Sequence, residues 1–181
     1  GLVPLLRRVA SRPAPDDSFL YGHFPVAGQR ELTRRVLGLM GISPLHCAVA
    51  ETEHPFQLTF DRHNVRIATH YYEDYLASSL YSALHEGGHA LYELNGGEQY
   101  EYTALSGGAS MALHESQSRF YENIIGRSRA FTSFLLPELQ ALYPEPFSSV
   151  TPEALYRAVN RVQPSLIRTE ADELTYSLHV C

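Results

Sequence analysis

The sequence predicts a mainly α-helical fold with one small antiparallel β hairpin set among the helices. Three observations carry that expectation. Apolar residues recur at helical spacing in several segments, most clearly Leu76, Leu80, Ala83, Leu84, Leu91 and Tyr92. One stretch, residues 54–72, breaks this pattern with β-branched and aromatic residues alternating at period two. Proline, glycine and serine punctuate the rest into segments of helix length.

Taken in order, residues 3–11 fit a short helix, and Pro13 and Pro15 make residues 12–17 a turn or linker. Residues 19–27 are irregular, with Phe19, Tyr21 and Phe24. Leu32, Val36, Leu37, Leu39 and Met40 mark a helix over 29–40 that ends near Gly41. The two runs of the hairpin are joined by a turn at 61–64. Alternation places Val65, Ile67 and Thr69 on one face, with Arg66, Ala68 and His70 on the other. Arg66 is then either an exposed sheet residue or a cation on an edge strand bordering a cleft, where a peptide could add as a further strand.

A helix follows over the region of 76–93, then a loop at 95–109 rich in glycine and serine, closed by Ser110 as N-cap of a helix over 111–125. Residues 126–143 form another helix that Pro137 kinks or breaks. Thr151 caps the next, with Pro152 at its first position, running to about 162. In the final segment Ile167, Ala171, Leu174 and Leu178 form a core stripe beside a polar stripe of Arg168, Asp172, Thr175 and His179. That polar stripe is either a solvated face, or Asp172 holds Arg168 in a cleft where its guanidinium grips a carboxylate in bidentate fashion.

Length and composition bound the class. A chain of 181 residues is one domain or most of one. It divides into leading helices at 1–50, the hairpin at 51–75, a helix pair at 76–126 and C-terminal helices at 127–181. A net charge of −6 argues against a nucleic-acid surface, and no apolar run approaches a membrane span. Two cysteines, Cys47 and Cys181, argue against a disulfide framework and make a cytoplasmic setting the expectation. The chain begins at Gly1 and stops within an apolar helical pattern, so both ends read as cut from something longer.

Chemistry concentrates at residues 85–89, which hold the pattern H-E-x-x-H. On a helix, His85 and His89 lie one turn apart on one face and can share a metal ion, while Glu86 can reach a water on that ion. Two imidazoles suit zinc and leave room for a third ligand and solvent. In sites of the gluzincin type the third ligand is a glutamate from a later helix. On the 111–125 helix, Glu115, 26 residues past His89, is the first candidate and Glu122, 33 past, the second. His114 is turned about 100° from Glu115 on the helix, so it is expected to support a ligand from behind or to be a packed histidine.

Five motifs in order, HPF at 54–56, NVRIAT at 64–69, HEGGH at 85–89, HESQS at 114–118 and IRTEAD at 167–172, resemble those of the M32 (carboxypeptidase Taq-like) family of metallocarboxypeptidases. The resemblance implies a helical, gluzincin-type fold with the small sheet edging the active-site groove. It implies metal ligands His85, His89 and Glu115, with Glu86 as general acid/base. His54, Arg66 and Arg168 fall on the substrate side; His114 and Asp172 keep the supporting places that the residue pattern alone gives them. It also implies one divalent ion, zinc first and cobalt second, peptide substrates trimmed from the C-terminus with broad specificity, and a cytoplasmic homodimer that binds neither nucleic acid nor membrane. The chain departs from the family pattern at Asn64 and Ala68, where the family carries an aspartate and a threonine. It also lacks the family's N-terminal helical region and a downstream G-x-x-Q-D-x-H-W motif. A metalloendopeptidase, or a truncated metal-binding fragment without turnover, are the alternatives.

Overall fold

The computed structural model describes residues 2–163. In chain order the elements are α1 (Leu2–Ala10), α2 (Val26–Leu39), β1 (Cys47–Glu51), β2 (Phe56–Asp61), β3 (Asn64–Thr69), α3 (Leu76–Leu94), α4 (Met111–Arg119), α5 (Arg129–Leu142), α6 (Pro144–Phe147) and α7 (Pro152–Val159). They fall into two compact units, one spanning Leu20–Phe131 and the other combining Gly1–Phe19 with the chain from Thr132 onward. The expected last helix, with Arg168 and Asp172, lies outside the described residues.

In the Leu20–Phe131 unit, α2 and α3 pack beside a three-stranded sheet of order β1-β3-β2. Leu37, Ile42, Cys47, Val65, Ile67 and Ala90 form the core where the elements meet, with Met40, Leu91 and Leu94 against it. One buried polar side chain ties the unit together. The Gln29 amide donates to the carbonyls of Phe24 at 2.7 Å and Tyr72 at 2.9 Å, and accepts from the Ser79 hydroxyl at 2.6 Å. Gln29 is fully buried, so these bonds offset the cost of removing its amide from water.

The hairpin forms where period two predicts it. β2 and β3 pair antiparallel, with Thr59 opposite Val65 and Leu58 opposite Arg66, and a register shift between Thr59 and Asp61. The sheet is nevertheless mixed, because β1 pairs parallel to β3, with Ala48 opposite Arg66. This corrects the edge-strand placement of Arg66. β3 is the central strand, its hydrogen-bonding groups are taken on both sides, and a peptide cannot add there. Val65 and Ile67 face the core as alternation requires, and Arg66 is exposed.

The helix expected over 111–125 changes character midway. Ser110 caps α4 by accepting the Leu113 N–H at 3.2 Å, but Phe120–Ile125 is a π-helical turn. The Gly126 N–H reaches back five residues to the Tyr121 carbonyl at 2.8 Å, which widens the turn. In the other unit, α5 continues through Pro137, and its Leu135, Leu136 and Leu139 are buried. Thr151 caps α7 by accepting the Ala154 N–H at 3.1 Å, with Pro152 at the first helical position as its fixed φ favours. α7 ends at Val159, three residues before the expected boundary. Arg161 donates to both carboxylate oxygens of Asp17, at 2.6 and 2.7 Å, which fastens the chain after α7 to the segment before Phe19.

The two glycines inside the α3 motif do different work. A Cβ on Gly88 would stand 2.7 Å from the Ser118 Cα and 2.8 Å from the Gln117 carbonyl oxygen, both backbone atoms of α4. A Cβ on Gly87 would meet only side chains, chiefly the end of Met40 at 2.7 Å, which is flexible enough to move aside. Gly88→Ala is therefore expected to force α4 away from α3 and destabilise the chain by about 1–2 kcal/mol, overpacking outweighing the gain in helix propensity. Gly87→Ala is expected to stay within about 0.5 kcal/mol of the parent. Denaturant unfolding of both variants checks this, and equal stability for the two would contradict it.

Candidate metal centre

Every residue of α3 is buried or half-buried, and His85 and His89 are among its half-buried ones. Their rings meet edge to face with centroids 4.9 Å apart. Both Nε2 atoms point at one oxygen of Glu115, at 3.6 Å from His85 and 3.5 Å from His89. The ligand atoms of the three side chains lie within 4.8 Å of one another, and among the described residues no other trio of His, Cys, Asp or Glu converges in this way. The spacing fits a small divalent ion, since tetrahedral bonds of 2.0–2.2 Å set neighbouring ligand atoms roughly 3.4 Å apart. Two imidazole nitrogens and a carboxylate oxygen are also the donor set of many catalytic zinc sites.

The far nitrogens are engaged too, which fixes the rings. His85 Nδ1 donates to Glu122 Oε2 at 2.8 Å. His89 Nδ1 meets His114 Nδ1 at 2.7 Å, and the opposite nitrogen of His114 bonds to Glu93. With both Nδ1 atoms engaged, both Nε2 atoms are turned towards Glu115.

The two glutamates left open on the 111–125 helix are thereby separated. Glu115 stands at the Nε2 side, about 40% exposed, whereas Glu122 is buried behind His85. They lie about two turns apart and would share a face on a regular helix. Both reach the His85 ring, Glu115 at Nε2 and Glu122, from within the π turn, at Nδ1. Arg119 at 3.2 Å and Arg127 at 3.4 Å contact Glu122, and Arg127 also lies 4.0 Å above the Tyr81 ring. Burial alone would push the Glu122 carboxyl up. The hydrogen bond from His85 and the charges of His85, Arg119 and Arg127 outweigh it and hold the group below the usual carboxylate range. For His85, burial disfavours the charged ring, but the same bond to Glu122, with help from Glu86 and Glu115, raises it.

Glu86 is buried, and burial raises its carboxyl above the ordinary value, partly offset by the adjacent imidazoles. His114 touches His89 on the side of the ring away from Glu115. Glu93 was missed. Its signal was present, since His85, His89 and Glu93 recur every four residues along one stripe of α3. His54 is exposed in the turn before β2, where its carbonyl accepts from Thr52 Oγ1 at 2.7 Å. The Arg66 guanidinium lies 4.5 Å over the Phe60 ring. Neither His54 nor Arg66 belongs to the converging group, and Arg168 and Asp172 lie outside the described residues.

Because Glu122 contacts His85 and is balanced by two guanidinium groups, Glu122→Ala is expected to weaken binding of a divalent ion at the trio roughly 10–100-fold. Glu122→Gln, which keeps an acceptor, is expected to lose less. Competition against a chelator of known affinity measures both, and parent-like affinity of the alanine variant would contradict the role.

Comparison with known proteins accounts for this arrangement. The family model described as carboxypeptidase Taq (M32) metallopeptidase matches residues 1–181. Carboxypeptidase 1 of Bacillus subtilis (strain 168) is 42% identical over 99% of this chain and 36% of its own length. Thermostable carboxypeptidase 1 of Thermus thermophilus is 39% identical over 99% of this chain and 35% of its own. The crystal structure of the M32 carboxypeptidase from Deinococcus radiodurans R1 superposes with a TM-score of 0.94 at 45% identity, covering 99% of this chain and 36% of that one. The chain thus spans little more than a third of these relatives, and the span includes the His85, His89 and Glu115 trio. It belongs to the M32, carboxypeptidase Taq, family of metallopeptidases.

Proposed function

We propose that this chain carries the metal-binding core of a carboxypeptidase that removes C-terminal residues from peptides with broad specificity. One observation carries the proposal: His85 Nε2, His89 Nε2 and a Glu115 oxygen converge at ligand spacing in a chain of a metallocarboxypeptidase family. His85, His89 and Glu115 would hold a divalent ion, zinc first and cobalt second. Such an ion, when bound, acidifies water and polarises a carbonyl.

The residues of the chain do the rest. Glu86 takes the proton from the attacking water and hands it to the leaving amine. Glu122 and His114 keep the two imidazoles turned so that Nε2 faces the reaction. The partly exposed side of Glu115 leaves an approach for solvent and for an extended peptide. An exopeptidase must also read the free carboxylate of its substrate. Arg66 and Arg168 are the candidates for that contact, with His54 on the same substrate side and Asp172 fixing Arg168. A cytoplasmic homodimer without nucleic-acid or membrane partners completes the reading. No described helix is long and apolar enough to cross a membrane.

A second reading is a protein of this family that holds metal without turning over, favoured by the departures from the family pattern at Asn64 and Ala68. Glu86→Gln is expected to keep its metal and lose roughly 10²–10⁴-fold in hydrolysis of free peptides, measured by release of the C-terminal amino acid. Full turnover by that variant would contradict the role of Glu86. Chelation is expected to abolish hydrolysis and zinc or cobalt to restore it. Peptides blocked at the C-terminus are expected to resist, and their cleavage would point to an endopeptidase. Stoichiometric metal with no hydrolysis by the parent chain would establish the second reading.

A further inference from the structure

We infer that Glu93 is a positioning residue for His89, acting through His114; the inference rests on the metal-centre reading above. Glu93 ends the stripe that starts at His85, and its carboxylate is buried against the imidazole of His114. An ionised carboxylate only accepts, so His114 presents Nε2–H to it. In the neutral ring this leaves His114 Nδ1 as a bare acceptor. It faces His89 Nδ1 at 2.7 Å, so the proton between the rings belongs to His89. The consequence lies at the opposite nitrogen. His89 is fixed as the Nδ1–H tautomer, and its Nε2 offers a lone pair towards Glu115. One carboxylate thus sets two rings in series, whereas His85 is set directly by Glu122.

The surroundings keep the contact closed. The Gly108 N–H donates to the same Glu93 oxygen at 3.1 Å. A Cβ on Gly108 would stand 2.6 Å from His114 Cδ2 and 2.8 Å from the Tyr92 ring, so the loop covers the Glu93–His114 pair with no space for a side chain. The Tyr92 ring lies edge-on to His114 with centroids 5.1 Å apart, and its hydroxyl accepts the Ala109 N–H at 3.1 Å. Glu93 therefore joins the end of the 95–109 loop to a residue of the metal trio, a link that the ligand pattern alone does not supply.

The test reads ring tautomers in the metal-free chain by long-range nitrogen–proton correlation, alongside zinc affinity by chelator competition. The parent chain is expected to show His89 as the Nδ1–H tautomer. Glu93→Ala is expected to mix the tautomers of His89, leave those of His85 unchanged and weaken zinc binding about tenfold or more. Glu93→Gln, which keeps an acceptor for His114, is expected to retain the tautomer. Tyr92→Phe, which loses only the clip to Ala109, is expected to match the parent in both readouts, separating loop attachment from ring positioning. An Nε2–H tautomer at His89 in the parent overturns the inference without any variant having to fold. So does an unchanged tautomer and affinity in Glu93→Ala. A parent chain that fixes the tautomer through Glu93 yet binds no zinc would instead overturn the metal-centre reading.

Discussion

The separation of α3 and α4 is the constraint on which the candidate centre depends. His85 and His89 sit on one helix and Glu115 on another, so their convergence is a property of the helix crossing. At the crossing, Gly88 lies so close to the backbone of Gln117 and Ser118 that an added Cβ would overlap main-chain atoms. Helices packed through larger side chains stand about 8–10 Å apart, and a glycine at the contact lets them come closer. Moving α4 outwards would carry the Glu115 oxygen away from both imidazoles together, because its 3.5 and 3.6 Å separations are set by the same helix position.

Charge is arranged to keep that geometry fixed. Four glutamates, at 86, 93, 115 and 122, cluster around two histidines with a third behind them, and buried carboxylates are costly unless paired. Glu122 is paired with His85, Arg119 and Arg127, and Glu93 with His114 and a backbone N–H. Glu115 keeps the most exposure of the trio, with solvent on one side. The imidazoles are therefore gripped from behind, with both Nε2 atoms held facing Glu115. Orienting ligands beforehand in this manner raises metal affinity by removing the cost of ordering them on binding.

The helical architecture, the metal-motif helix and the hairpin were legible because each has a strong local period. The alternation of Val65, Arg66 and Ile67 and the turn at 61–64 identified β2 and β3 from residues close in the chain. β1 escaped because its sequence, CAVAE, is short and alanine-rich, and its partner is a parallel strand reached only through the intervening hairpin. That missing strand is also why Arg66 was placed on an edge. Spacing put Glu115 ahead of Glu122 without separating their roles. Which side of the His85 ring each carboxylate meets depends on how the helix settles on α3 rather than on any local signal. Glu93 was visible as the third member of a four-residue repeat, but its role required knowing that the 95–109 loop returns His114 to it.

X-ray absorption on the zinc-loaded chain tests the central claim most directly. The account predicts one ion per chain, with two imidazole nitrogens and carboxylate oxygen in its first shell at about 2.0–2.2 Å, and loss of that signature when both His85 and His89 are replaced by alanine. A first shell without imidazole, or one unchanged in the double variant, would contradict the convergence of His85, His89 and Glu115 on a single ion.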